Sequence, residues 1–248
     1  NKTLEKEIKM ASLIQQSFFK QDTSSFVNCK AGYYSNPMAG VSGDIYDFYS
    51  TNGNLEGIGI FDVSGHGISS GLVTMMVKNI ITREFHNHKE MELWEILNRI
   101  NDSVIDAKGD IENYLTGVLI RLVGTKLEIS CAGHPMPIIY RESTGICEYL
   151  TQKKHSVGAI GISDLPVFYY SDYIDFNSGD ELFLYSDGLT DVENSEGNPL
   201  GSDKLLEIVK KFKDESVDNQ IESISKEIEI FRNGKTQNDD ITFIILKK

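Results

Sequence analysis

LEGIGIFDVSGHGISSGLVTMM, residues 55–76, carries two structural periods back to back. Over Leu55–Val63 the side chains alternate, with Ile58, Ile60 and Asp62 on one face and Gly59, Phe61 and Val63 on the other, as in a strand. From Ile68 the period changes: Ile68, Leu72, Met76 and Ile80 recur every fourth residue, the stripe of a helix. The strand therefore delivers a carboxylate at its very end, into a loop rich in glycine. Upstream, Asn52-Gly53-Asn54 is a hairpin signal joining this strand to another over Ile45–Tyr49.

Working outward, Phe26–Tyr34 reads as a strand, and Leu93, Ile96, Leu97, Ile100 and Val104 form a second helical stripe. Met75 and Met76 are expected in the core. Strand-like runs follow at Tyr114–Val123, Lys126–Cys131, Pro137–Arg141, Ile146–Leu150, Phe168–Phe176 and Glu181–Tyr185. Helices are expected over Asp203–Phe212 and Val217–Phe231, and a last strand over Asp240–Leu246. Strands in runs with paired helices between them argue for an α+β fold with antiparallel sheets, against a doubly wound one. No repeat or Pro-rich linker interrupts 21–248, so one domain is expected there. Residues 1–20 read as a separate linker or regulatory helix with a narrow seam of Leu4, Ile8, Ala11 and Phe18. Packing of that helix on its own domain and service as a dimer or linker helix are both open.

The 24 basic and 37 acidic side chains leave a net charge of −13, which disfavours nucleic acid as a partner, since such affinity comes mainly from Lys and Arg neutralising phosphates. Cys29, Cys131 and Cys147 are odd in number and form no CxxC pair, so neither a disulfide framework nor a thiolate zinc site is expected. None has an Arg six residues on, as a cysteine phosphatase nucleophile would, and no GxxxxGK[ST] phosphate loop occurs. No apolar run approaches the ~18 residues of a membrane span, and no signal-like leader is present. The chain starts at Asn1, so a piece of a longer protein is expected. The domain itself is expected in the cytoplasm, and its parent is free to be membrane-anchored.

Four places set Asp beside Gly or another Asp at the edge of an apolar run: Ser42-Gly43-Asp44, the Asp62 loop, Ser186-Asp187-Gly188 and Asn238-Asp239-Asp240. Each alone reads as a turn or cap residue. Desolvated together, such carboxylates would repel and their pKa values would rise. Hard divalent cations with oxygen preference, Mg²⁺ or Mn²⁺, remove that cost.

Those segments, in that order, resemble the metal-dependent protein phosphatase 2C family, and in particular its bacterial SpoIIE/RsbU-type branch. The likeness runs through IKMASLIQQSFF (8–19), VSGDIYDFY (41–49), FDVSGHGISSGL (61–72), CAGHPMPIIYR (131–141), GDELFLYSDGLTDVENSEGNPLG (179–201) and NDDITFIIL (238–246). It implies a β-sandwich of two antiparallel sheets flanked by helix pairs, with metals at one end. It implies two Mn²⁺ or Mg²⁺ ions: Asp62 bridging them, the Val63 carbonyl on one, Asp187 and Asp239 completing the first position and Asp44 serving the second. Phosphoserine or phosphothreonine would then be hydrolysed by a water activated between the two cations. The implied substrate is a phosphorylated protein of the anti-sigma-factor-antagonist kind, under control of an upstream sensor region of the same chain. In such control the first helix and the helices after the Asp62 loop, about residues 67–106, would couple to metal binding. Two other readings remain: a catalytically silent module that binds a regulatory partner, and a hydrolase of small phosphoesters.

The histidines are expected outside the catalytic set. His66 lies four residues after Asp62, where animal members of the family place a His two after, so a role in the loop is expected. His134 is expected to order its loop, His86 and His88 to lie solvated at a helix end, and His155 carries no reading.

Overall fold

A computed structural model describes residues 2–65, 67–163 and 165–248, with side chains from residue 6 onward. His66 and the Leu4 side chain therefore lie outside the described residues. In chain order the elements are α1 (Lys2–Phe19), β1 (Lys30–Asn36), β2 (Asp44–Thr51), β3 (Asn54–Val63), α2 (Ile68–Asn87), α3 (Leu93–Lys108), β4 (Leu115–Val123) and β5 (Lys126–Ala132). They continue with β6 (Ile138–Arg141), β7 (Ile146–Tyr149), β8 (Ser171–Asp175), β9 (Glu181–Tyr185), α4 (Asp187–Thr190), α5 (Gly201–Phe212), α6 (Val217–Arg232) and β10 (Ile241–Lys247).

The strands form two antiparallel sheets in the orders β1-β10-β9-β6-β7 and β2-β3-β4-β5-β8. Helices α5 and α6 lie on the first sheet, α2 and α3 on the second. Because both faces of each sheet are covered, alternation sorts apolar side chains between two cores rather than between core and water. On β10, Phe243 and Ile245 pack with α5 and α6, while Ile244 and Leu246 point into the space between the sheets. On β9, Phe183 and Leu184 divide in the same way. Phe61 fits because it faces Gly117 across the β3–β4 ladder, where a Cβ would overlap its ring.

Several strand ends shift from the sequence expectation, most of all the strand expected over Phe168–Phe176, which is confined to Ser171–Asp175, and three departures have a physical reason. Phe26–Cys29 forms no strand: Phe26 is buried against Phe48, and the Asn28 side chain takes the place of a strand partner, donating to the Leu55 carbonyl and accepting from its N–H, both at 2.9 Å. Helix α4 has four residues, too few for any periodicity to show. In α1 the buried positions are Gln15 and Phe19, with Ile8 and Ala11 half-buried, whereas Phe18 is exposed. The seam continues from Ala11 in steps of four, and the polar Gln15 disguised it.

Candidate metal centre

Each expected carboxylate stands where a strand starts or ends, and the topology gathers those ends. Asp44 opens β2 and lies directly across from Asp62, the penultimate residue of β3. In the other sheet β9 and β10 are neighbours, so Asp187, just after β9, and Asp239, just before β10, leave the same end of their ladder. Val63 closes β3, fully buried; its N–H donates to the Gly43 carbonyl at 3.0 Å, and a Cβ at Gly43 would stand 3.1 Å from the Val63 carbonyl oxygen.

Two hydrogen-bonded clamps join the sheets here. The Ser186 hydroxyl donates to Asp44 Oδ2 at 2.8 Å, and Ser186 Oγ accepts the Thr242 N–H at 3.1 Å. Asp240 accepts the Gly43 N–H on Oδ2 at 2.5 Å and the Met38 N–H on Oδ1 at 2.7 Å. Gly188 is needed beside it, because a Cβ there would overlap the Asp240 carbonyl. A third connection comes from α1. The buried Gln15 side chain accepts the Ser42 N–H at 2.7 Å and donates to the Ser42 carbonyl at 2.8 Å and to Thr74 Oγ1 of α2 at 2.9 Å. The loop carrying Asp44 is thus held from both directions.

The carboxylates feel one another. Burial, then the charges of Asp187, Asp239 and Asp240, push Asp62 up to about 7. Burial and the charge of Asp62 hold Asp44 well above the carboxylate range, against the lowering effect of the Thr242 and Ser186 hydroxyls. Asp187 is raised by burial and Asp191, and Asp239 by burial, Asp187, Asp240 and Asp191. No cationic side chain figures among the causes of any of these shifts. Among the described residues, no three His, Cys, Asp or Glu side chains close tightly enough to form a ligand group as they stand. Asp44 Oδ2 accepts from the Ser186 hydroxyl, and Asp239 Oδ1 accepts the Asp240 N–H at 2.8 Å. The donor set is all oxygen, four carboxylates and one backbone carbonyl, which fits a hard divalent cation and does not fit zinc held by Cys or His.

Sequence reasoning missed Asp240, Ser186 and Asp191. Asp191 had a signal, since it lies one helical turn beyond Asp187, but Ser186 and Asp240 bond to residues far away in the chain. His134 does order its loop. It is buried, its Nδ1 is 2.9 Å from Thr116 Oγ1, its carbonyl accepts from Cys131 Sγ, and burial lowers its pKa to about 4. The other helix-end histidines are less solvated than expected. His88 caps α2 and contacts Glu84 at 3.2 Å, and His86 sits edge-on to Tyr49.

A family model described as stage II sporulation protein E (SpoIIE) matches residues 53–248. The chain is 25 % identical over 246 residues to phosphoserine phosphatase RsbP of Bacillus subtilis, covering 97 % of this chain and 57 % of RsbP. It spans about half the length of the curated relatives it matches. Among solved structures, the SiaA-PP2C domain of Pseudomonas aeruginosa superposes with a TM-score of 0.85 at 19 % identity, covering 100 % of this chain and 98 % of that one. The catalytic domain of the serine/threonine phosphatase PstP, solved with two manganese ions, superposes with a TM-score of 0.62 at 15 % identity, covering 88 % of this chain and 97 % of that one.

Proposed function

From the chain's membership of the SpoIIE family, in its PP2C-type fold, we propose that it is a divalent-metal-dependent phosphatase acting on phosphoserine or phosphothreonine in a protein. The observation that carries this reading is the meeting of Asp44, Asp62, Asp187 and Asp239 at one end of the sandwich, with their proton affinities raised by burial and mutual repulsion. Two Mn²⁺ or Mg²⁺ ions would be held there, both by Asp62, one of them also by the Val63 carbonyl, with Asp187 and Asp239 serving the first position and Asp44 the second. When bound, such ions lower the pKa of water and neutralise phosphoryl oxygens. The chain's own part is placement: Ser186 and Asp240 fix the Asp44 loop to the opposite sheet, and Asn113 Nδ2 holds the Ser64 carbonyl at 2.6 Å, steadying the turn after Asp62. The retention of all four carboxylates argues against a silent binding module.

The substrate class is a phosphorylated protein of the anti-sigma-factor-antagonist kind, as the branch resemblance implies. We place the domain, residues 21–248, in the cytoplasm behind an upstream sensor region, with residues 1–20 as the connecting helix. No helix among the described residues is long and apolar enough to cross a membrane. Met10, Leu13 and Phe18 on α1, with Ile68 and Leu72 on α2, are exposed apolar residues that suit a homodimer through the N-terminal helix.

The test is hydrolysis of a phosphoserine or phosphothreonine peptide with Mn²⁺, with EDTA, and with Asp62→Ala. Turnover is expected only with Mn²⁺ and wild-type Asp62, the variant losing at least about 100-fold, a loss of ~2.7 kcal/mol in transition-state stabilisation. Metal-independent turnover, or a variant as active as wild type, overturns the reading.

A further inference from the structure

Asp62 is the carboxylate that two ions would share, so the engagement of its oxygens before an ion arrives bears directly on binding. Thr116 of β4 lies directly opposite Asp62 in the β3–β4 ladder. Opposed residues of an antiparallel pair point to the same face with Cβ atoms about 5 Å apart, so the Thr116 side chain stands beside that of Asp62. At the other metal position a neighbouring hydroxyl bonds to the carboxylate, since Ser186 donates to Asp44. The Thr116 hydroxyl is engaged elsewhere, with His134 Nδ1 at 2.9 Å. The influences that raise Asp62 are burial and the charges of Asp187, Asp239 and Asp240.

The topology brings His134 to this place. β5 ends at Ala132 in one sheet and β6 starts at Ile138 in the other, so residues 133–137 cross between the sheets. They cross at the carboxylate end. Gly133 bridges Gly117, the neighbour of Thr116, and Ile138 pairs with Phe183 on β9, the strand that leads to Asp187. The Cys131 thiol donates to the His134 carbonyl at 3.3 Å and fixes the loop.

The direction of the Thr116–His134 bond follows from the ring's surroundings. The imidazole is buried, and burial keeps it neutral, with a pKa lowered to about 4. A neutral imidazole has one N–H and one acceptor nitrogen, and its partners decide which is which. Nε2 is enclosed without a close partner among the described residues. The backbone group that acts on the ring is that of Tyr185, and it raises the proton affinity, as a carbonyl facing an N–H does. Because Nδ1 is taken by Thr116, the carbonyl serves Nε2. The proton therefore belongs on Nε2, and Nδ1 accepts from the Thr116 hydroxyl.

We propose that His134 is a positioning residue for the metal centre: by accepting the hydrogen bond of the Thr116 hydroxyl, it turns that donor away from Asp62 and leaves the Asp62 oxygens free for cations. The proposal rests on the metal-dependent reading above. It is tested on the whole chain. Nitrogen-15 NMR of the metal-free wild type at neutral pH should show His134 as the Nε2–H tautomer. The Nδ1–H tautomer, which would free the Thr116 proton for Asp62, overturns the proposal. In calorimetric titrations with Mn²⁺, His134→Leu should bind about tenfold more weakly than wild type, the worth of ~1.4 kcal/mol. His134→Leu/Thr116→Val, with no hydroxyl left to compete, should recover to within about twofold of wild type, a coupling that a general loss of packing would not produce. Wild-type affinity in His134→Leu, or a double variant as weak as the single one, overturns the proposal. If circular dichroism shows that His134→Leu does not fold, the tautomer decides alone. If the wild type binds neither Mn²⁺ nor Mg²⁺, the metal-dependent reading has failed by itself, and the tautomer still decides the direction of the Thr116 hydrogen bond.

Discussion

His134 shows what burial does to a single ionisable side chain at the edge of the centre. Enclosed beside Thr116, with its pKa lowered to about 4 by desolvation, it is neutral in the folded chain where an exposed imidazole would begin to charge. The folded state therefore binds fewer protons than the unfolded chain between pH 6.5 and 4. The stabilisation is complete above about 6.5 and is lost as pH falls through about 4, an upper bound of ~3 kcal/mol. Denaturant unfolding of wild type and His134→Asn over that window should show wild type losing more stability on acidification, and parallel curves would refute the assignment. The same chemistry was partly visible in the sequence. CAGHPMP offered a His at the end of an apolar run, but its burial depends on a partner in β4, eighteen residues upstream.

Between elements, the informative contacts are those that α1, the residues just after it and α2 make with β2 and the loop leading into it. Gln15 satisfies both backbone groups of Ser42 and reaches Thr74, while Asp47 of β2 accepts from Thr82 Oγ1 at 2.8 Å and pairs with Lys78 at 2.8 Å and with Gln21 Nε2 at 2.7 Å. Gln15→Leu would leave the buried Ser42 N–H unpaired and its carbonyl with only the Thr74 hydroxyl at 3.4 Å, at a cost of about 1–3 kcal/mol for the orphaned group. A lower Tm and a higher Mn²⁺ concentration for half-maximal activity are expected; a variant unchanged in both would show that the clasp is idle. The four aspartates were legible because each flanks an apolar run, a local signal. Gln15, Ser186 and Asp240 were not, since a polar residue is read as surface until its partner is known, and theirs lie 27 to 202 residues away. The strands of β3 and β4 were legible for the converse reason: their alternation is written in neighbouring residues.

For the molecule as a whole, the proposed metal centre would make an ion part of the fold's stability, because its carboxylates repel one another. A ligand that binds only the folded state stabilises it by about 2.7 kcal/mol at a hundredfold excess over Kd. Thermal unfolding is therefore expected at a higher temperature in Mn²⁺ than in EDTA, with the difference shrinking in Asp62→Asn, which carries less repulsion to relieve. An equal Tm in both media would remove the ion from the stability account. The sheet order adds a constraint of another kind. β10, with Asp239 just ahead of it, is the last strand in the chain, yet it sits between β1 and β9, pairing Lys30 with Lys247. On a ribosome, the first sheet keeps a gap between β1 and β9, and the carboxylate end lacks a member, until β10 has been made. A chain lacking β10 would leave β1 without its sheet partner and Asp44 and Gly43 without the Ser186–Thr242 and Asp240 contacts that fasten their loop to the opposite sheet.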